Sequence, residues 1–287
     1  MNYLKLFCLS MFLLLFKCTA ADGNPTGKFA ANLKIASFNL RCWRDPAPND
    51  LPNRGKRIQQ FIADQKWDIF GAQEVQPAHF PFVTNLNYHY IGEGRSDRGE
   101  KTEFSPVFYN PETLEMLSCR TFWLSLTPEV KGSVSWKSAC TRICTYGIFR
   151  HKASGRKFVF VNTHLDNRSK EARLEGMKLI VKTISALPEK LPVIITGDFN
   201  DFPGSAPLKV LASKFTDASA KAAVKNITSL ASYHGYKADP TARRDTQPID
   251  YIFVNDMVKV NSFKLADNFK NGLSPSDHFP VEAEIMF

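Results

Sequence analysis

The sequence predicts an α/β domain: two packed sheets with helices covering their outer faces. Three observations carry this reading. Strand-like and helix-like stretches mix from about residue 30 to residue 287, with no linker, internal repeat or low-complexity segment between them. The order strand, helix, strand ending in an acid occurs twice, from Asn39 to Glu74 and from His164 to Asp198, which suggests two similar halves meeting at one cleft. The 287 residues are 44% hydrophobic and include 23 Phe, enough for one sizeable core.

Residues 1–20 read as an export signal. Lys5 is the only charge before the apolar run from Leu6 to Phe16, and that run is shorter than the ~20 residues a membrane-spanning helix needs. Small residues at Cys18-Thr-Ala-Ala21 offer a cleavage site after Ala20 or Ala21. Lys17 directly before Cys18 argues against a lipid-anchored protein, so a periplasmic or extracellular location is expected. Removing the segment lowers the formal charge from +9 to +7. That balance suits an anionic substrate without selecting nucleic acid. The basic residues form only short clusters: Arg41/Arg44, Arg95/Arg98/Lys101 and Arg243/Arg244. Cys42, Cys119, Cys140 and Cys144 remain. A bridge from Cys119 to Cys140 or Cys144 is the reading for an exported chain, and the lack of a CxxC pair argues against zinc.

Leu33–Leu40 alternates and forms the first strand of the domain, with Asn39 at its end. Prolines make 45–50 a loop, and Asn53 is expected to cap a helix carrying Ile58, Phe61 and Ile62. Trp67–Val75 is the second strand, with Glu74 near its end. A short helix from Pro77, a strand at 88–91 and a basic loop at 92–101 follow. Glu103 opens the strand 104–109; Phe122–Ser125 is another strand, and the run from Cys140 to His151 carries Arg142. Lys157–Leu165 is a strand bearing Asn162 and His164 near its end. Leu174, Met177, Val181 and Ile184 mark one face of a helix over 169–186.

Val193–Thr196 is a buried strand broken by Gly197, with Asp198 and Asn200 delivered two apart on one side. Pro207 starts a short helix, residues 213–247 show no clear period, and Asp250 opens the strand that runs to Val254. A loop then presents Asp277 and His278 before the last strand.

Acids, amides and imidazoles thus stand at several strand ends, while a nucleophilic Ser or Cys motif, a Walker loop and a zinc cluster are missing. Hard oxygen donors suit Mg²⁺, with Mn²⁺ or Ca²⁺ as alternatives. Two histidines among carboxylates suit proton transfer. With Arg142 for a developing charge, the set fits attack of water on phosphorus.

Six stretches carry a resemblance: Ser37-Phe-Asn-Leu-Arg41, Gly71-Ala-Gln-Glu-Val75, Val161-Asn-Thr-His-Leu165, Thr196-Gly-Asp-Phe-Asn200, Ile249-Asp-Tyr-Ile-Phe253 and Ser276-Asp-His-Phe-Pro-Val281. In this order they resemble the endonuclease/exonuclease/phosphatase superfamily, which includes DNase I, exonuclease III, neutral sphingomyelinases, inositol polyphosphate 5-phosphatases and deadenylases. The resemblance implies a four-layer α/β sandwich of two packed mixed sheets flanked by helices. It implies Glu74 as main metal ligand with Asn39 and Asp277, and Asp198 orienting or deprotonating the water. Asn200 would stabilise the transition state, and His278, paired with Asp250, would contact the phosphate. His164 would assist the leaving group with Glu103 as its carboxylate partner; Arg142 and Asn162 would face the substrate phosphate.

Arg41 stands where exonuclease III-like repair enzymes carry an acid, which argues against DNA repair. The expected function is therefore an exported, monomeric, metal-dependent phosphoesterase acting on a phosphomono- or phosphodiester. A secreted nuclease and a non-catalytic phosphate-binding protein are the alternatives.

Overall fold

Alternation along each strand decides which layer a side chain enters. Leu33 and Ile35 join one core, and Ala36 and Phe38 join another. On a later strand Ile194 joins the first of these, while Val193 and Ile195 face a third. The computed structural model describes residues 30–42, 44–229, 231–242, 246–265 and 268–287. The expected leader with Cys18 and the Arg243/Arg244 cluster lie outside the described residues. In chain order the elements are β1 (Asn32–Asn39), α1 (Leu51–Gln65), β2 (Ile69–Gln73), α2 (Phe80–Thr84), β3 (His89–Ile91), β4 (Val107–Tyr109), β5 (Leu114–Trp123), β6 (Ile143–His151), β7 (Lys157–His164), α3 (Lys170–Ser185), β8 (Val193–Asp198), α4 (Ala206–Ala212), β9 (Thr216–Asp217), α5 (Ala218–Lys221), β10 (Val224–Ile227), β11 (Asp250–Val254), β12 (Lys259–Leu265) and β13 (Val281–Met286).

One sheet runs β10-β12-β13-β1-β2-β4-β3 and the other β5-β6-β7-β8-β11-β9. Both are mixed: β1 and β2 are parallel, as are β7 and β8, within otherwise mostly antiparallel neighbours. Leu33, Ile35, Ile69 and Val107 of the first sheet meet Phe149, Phe158, Phe160 and Ile194 of the second in the central core. Ile58 and Ile62 of α1 cover the outside of the first sheet against Phe38, Phe70 and Phe108. Met177 and Ile180 of α3 and Leu208 of α4 cover the outside of the second. The result is the four-layer α/β sandwich.

A polar seam crosses the central core. Asn162 on β7 is fully buried. Its Nδ2 donates to the carbonyls of Ala72 (2.7 Å) and Pro106 (2.9 Å) of the first sheet. Its Oδ1 accepts from Gln73 Nε2 (2.7 Å) and Thr196 Oγ1 (3.2 Å). All four bonds are made within the protein, so Asn162 ties the sheets and does not face a substrate phosphate. Burial at the middle of the sandwich overrides the strand-end reading. Gly71 is the matching close approach. A Cβ there would lie 2.2 Å from Thr196 Oγ1 and 2.4 Å from Asn162 Oδ1.

Local differences from the sequence reading have local causes. Helix α1 starts at Leu51, and Asn53 lies inside it, donating back to Asp50 Oδ1 at 2.7 Å. Pro52, with its fixed φ, suits the first turn and moves the start forward. The buried stripe of α3 is Ala172, Arg173, Gly176, Met177, Ile180 and Ile184, with Ser169 capping through a bond from the Ala172 N–H. Edge strand β5 begins at Leu114, and its mostly exposed residues 115–120 hide the alternation. Glu103 precedes, rather than opens, its strand; Phe104 forms isolated bridges to Val75 and Gly94. Among the described residues Cys42, Cys119, Cys140 and Cys144 are all free. The β5–β6 register sets Cys119 opposite Gly147 and Cys144 opposite Phe122, so neither faces the other.

Candidate active site

Strand register brings the polar ends together. Parallel pairing sets His164 beside Asp198, and antiparallel pairing sets Asp250 opposite Asp198. In the other sheet Asn39 pairs with Gln73, one residue before Glu74. The loop before β13 is tied to the same end, because Ser276 Oγ donates to the Asn39 carbonyl at 2.6 Å.

Asn39 then bridges the sheets. Its Nδ2 donates to Asp198 Oδ2 (3.0 Å) and Glu74 Oε1 (3.3 Å), and its Oδ1 accepts the Arg41 N–H (2.9 Å). Glu74 Oε2 accepts the Cys42 N–H at 2.9 Å. His278 Nδ1 is 2.8 Å from Asp250 Oδ2, and its Nε2 is 3.9 Å from Asp198 Oδ2 and 4.0 Å from Asp277 Oδ1. His164 Nε2 is 3.5 Å from the same Asp198 oxygen. The Asn200 N–H donates to Asp198 Oδ1 (2.9 Å), and its side chain donates to the Leu165 carbonyl (3.0 Å). Arg41, Glu74 and Asn200 all hold left-handed backbone, with φ of 56°, 57° and 50°. Non-glycine residues adopt that conformation where the surroundings enforce it.

Glu103 is not brought to His164 by any hydrogen bond; its Oε2 lies 2.8 Å from Arg95 Nη1. The basic loop folds back through an Arg95 N–H to Glu103 carbonyl bond of 2.9 Å, which delivers a guanidinium to the acid first. Arg142 is buried on the other side of His164, with Nε 3.6 Å from Asp166 and Nη2 3.4 Å from Asn167 Oδ1.

Asp166 anchors this side. It accepts from Ser138 Oγ, the Ala139 N–H, the Arg168 N–H and the Ser169 N–H. Sequence reasoning missed it, although His164-Leu-Asp166 repeats the two-residue step of Asp198-Phe-Asn200. It also missed Ser232 and Tyr233, in the stretch without a period. Ser232 Oγ accepts the Asp250 N–H, and the Tyr233 ring meets His278 edge-on at 5.0 Å.

Charges follow from these contacts. Burial opposes the charged form of His278, but Asp250, Asp277 and Asp198 outweigh it and push its pKa up to about 10. Burial, then Asp250, pushes Asp198 up to about 7. Burial and the Arg142 guanidinium hold His164 well below the ordinary imidazole range, so it is neutral. Burial works against ionised Glu74, yet the Cys42 N–H, Arg41 and protonated His278 hold it below the usual carboxylate range.

The donor set fits a hard divalent cation. Glu74, Asp198, Asp250 and Asp277 converge, with His278 and Arg41 as the nearby cations, and the buried Asp250 Oδ1 has no hydrogen-bond partner. Asp198, Asp250 and His278 bring ligand-type atoms within 4.8 Å of one another. A protonated imidazole already bonded to Asp250 is a poor ligand, however. Glu74 and Asp277 are the better-placed oxygens.

Residues 36–278 match the Endonuclease/Exonuclease/phosphatase family. The chain belongs to that family. Its folds are phosphoesterases and nucleases, hydrolases of phosphoesters. An endonuclease/exonuclease/phosphatase from Bacteroides vulgatus is 33% identical with a TM-score of 0.82, covering 89% of this chain and 98% of its own. A mannosyl-6-phosphatase from Bacteroides thetaiotaomicron is 30% identical with a TM-score of 0.78, covering 89% of this chain and all of its own. Protein angel of Drosophila melanogaster is 22% identical over 199 residues, 64% of this chain. The chain spans about half the length of that curated relative. No helix among the described residues is long and apolar enough to cross a membrane.

Proposed function

We propose that this family member is an exported, divalent-metal-dependent phosphoesterase that hydrolyses its substrate by attack of water on phosphorus. The observation supporting this most directly is the set of contacts centred on Asp198, from Asn39, His164, Asn200 and His278. A bound Mg²⁺ (or Mn²⁺ or Ca²⁺), held by Glu74 and Asp277, would supply Lewis-acid neutralisation of phosphoryl charge.

The protein's own groups divide the remaining work. Asp198, raised toward neutrality, takes a proton from the water as its oxygen bonds to phosphorus and the phosphorus–ester oxygen bond breaks. Asn39 orients that carboxylate. Asp250 holds His278 protonated, so its Nε2–H faces the phosphoryl oxygens as a charged donor. Asn200 contributes its second amide hydrogen to the transition-state charge. Neutral His164 donates one N–H toward the leaving oxygen, and the departing alkoxide takes its proton from solvent. Arg142 anchors the phosphate.

The phosphatase relative puts phosphorylated sugars first among substrates to assay. The deciding experiment is hydrolysis of mono- and bis-nitrophenyl phosphate, sugar phosphates, DNA and RNA in Mg²⁺ and in EDTA. Chelator-sensitive cleavage supports the reading. Full turnover in excess EDTA, or none with any of the three cations, refutes it. Cleavage of DNA far above the rest, falling steeply with salt, would instead favour a nuclease. Export rests on the character of residues 1–20, and N-terminal sequencing of the protein from cell fractions tests it.

A further inference from the structure

The hydrolytic scheme leaves Arg41 without a part. Its main chain is pinned: the N–H donates to Asn39 Oδ1 (2.9 Å), the carbonyl accepts from Arg54 Nη2 and His79 Nε2 (2.9 Å each), and φ is 56°. The freedom that remains is in the side chain, which is 31% exposed. Its guanidinium faces three acids. Nε and Nη2 each donate to Asp45 at 3.0 Å, a bidentate bond. Nε also lies 3.5 Å from Asp277 Oδ2, and Nη1 lies 4.0 Å from Glu74 Oε2. Glu74 and Asp277 are the carboxylates assigned to the cation above, and Asp45 is not. Asp45 is itself held by Tyr236, whose hydroxyl donates to Oδ2 at 3.3 Å.

One guanidinium thus sets a fixed positive charge against both of those carboxylates. A divalent cation and a guanidinium a few ångströms apart repel, and the repulsion grows where water is excluded. Asp277 is buried, so little solvent screens the pair. Arg41 also offsets part of the repulsion between Glu74 and Asp277, and an arriving cation must replace that contribution. The contacts say which partner Arg41 keeps. Two hydrogen bonds tie it to Asp45, whereas its approaches to Asp277 and Glu74 are longer ion pairs.

We propose that Arg41 lowers the affinity of the Glu74–Asp277 site for divalent cations, and that Asp45 limits this effect by drawing the guanidinium outward. The inference rests on the metal-dependent reading above and names the residues that set its cation affinity. The functional consequence is a cation that exchanges with the medium instead of one held permanently. Arg41 is a tuning residue here. It handles neither the water nor the ester.

The test is titration of the purified protein with Mn²⁺, with the free ion followed by electron paramagnetic resonance. Wild type is compared with Arg41→Gln, Arg41→Lys, Asp45→Asn and the Arg41→Gln/Asp45→Asn double variant. Arg41→Gln should bind Mn²⁺ about tenfold more tightly than wild type. A gain of that kind cannot come from a damaged fold. Arg41→Lys keeps the charge and should stay nearer to wild type. Asp45→Asn should weaken binding several-fold, because it leaves the guanidinium to Glu74 and Asp277. In the Arg41→Gln background the same change should matter less, since no guanidinium is released. Unchanged or weaker binding in Arg41→Gln, or an equal gain in Arg41→Lys, would overturn the proposal. An equal loss from Asp45→Asn in both backgrounds would mean that Asp45 acts through its own charge alone, and would overturn its part.

Turnover of p-nitrophenyl phosphate by the same samples keeps this proposal apart from the hydrolytic reading. Affinities graded as expected, without turnover, support the role of Arg41 and remove the hydrolase. Chelator-sensitive turnover with one affinity across all variants removes the role of Arg41 and keeps the hydrolase. Binding in none of the proteins overturns both.

Discussion

The two sides of His164 are built differently. On the carboxylate side Asn39, Glu74, His164, Asp198 and Asp250 stand at or next to strand ends, where the sheet register sets their spacing, and the loop before β13 adds Asp277 and His278. On the guanidinium side Arg95 sits in a loop and Arg142 at the foot of β6, and loop contacts through Glu103, Trp123 and Asp166 hold them. The carboxylate side has Asn39, Glu74, Asp198, Asp250 and His278 bonded to one another or to nearby backbone. The guanidinium side keeps unpartnered donors on Arg142. The contrast teaches that strand register fixes the half suited to chemistry, whereas loop contacts fix the half around Arg95 and Arg142.

Removing the centre of the fixed half should have the largest effect. Asp198→Ala and His278→Ala are each expected to lower kcat about 10²-fold or more while circular dichroism stays native; wild-type rates in a folded variant would take that residue out of the mechanism. Breaking the support beneath both halves comes next. Asn162→Ala should cost about 2–4 kcal/mol in urea unfolding, because it removes four buried hydrogen bonds at once. An unchanged midpoint would mean the seam is not holding the sheets together. Gly71→Ala should be similarly damaging through the clash at Thr196 and Asn162.

Asp166→Ala tests the half held by loop contacts. It should raise KM several-fold with a smaller change in kcat, because it frees the loop around Ser138 and Ala139 as well as Arg142. A kcat loss with KM unchanged would place Asp166 with the chemistry instead.

The pH profile sharpens the contrast further. Asp198 must lose its proton to act, so kcat/KM should rise with pH up to about 7. His278 must keep its proton, so activity should fall toward pH 10. Asp250→Asn should bring that alkaline fall to lower pH. The smallest effect is on stability. The folded state binds the His278 proton more tightly than the unfolded chain does. The dyad's stabilisation is therefore full below the ordinary histidine value of about 6.5 and is lost as pH rises through about 10. The difference in Tm between wild type and Asp250→Asn should shrink over that range, and a constant difference would contradict the assignment.

Much of the carboxylate side was legible because strand ends announce themselves. An apolar run closes on a polar residue, and period-2 geometry sets Asp198 and Asn200 on one side. The same rule misread Asn162, which sits two residues short of the strand end, inside the sandwich. Nothing in a one-dimensional pattern marks the depth at which two sheets cross. Glu103 differs for a related reason: a loop that folds back gives it Arg95 as partner, and the sequence marks Arg95 only as part of a short basic cluster. The stretch that supplies Ser232 and Tyr233 follows β10, an exposed edge strand, and contains little regular structure that periodicity could reveal.

Arg54 carries a further consequence. It is fully buried, and it donates to the main-chain carbonyls of Leu40, Arg41, Cys42 and Asn49. Those bonds turn the carbonyls after β1 inward toward α1. The Cys42 N–H that Glu74 accepts belongs to the same stretch. The helix on the outer face therefore steers a carboxylate it never touches. Under the proposed function, damage to that helix is expected to weaken cation affinity.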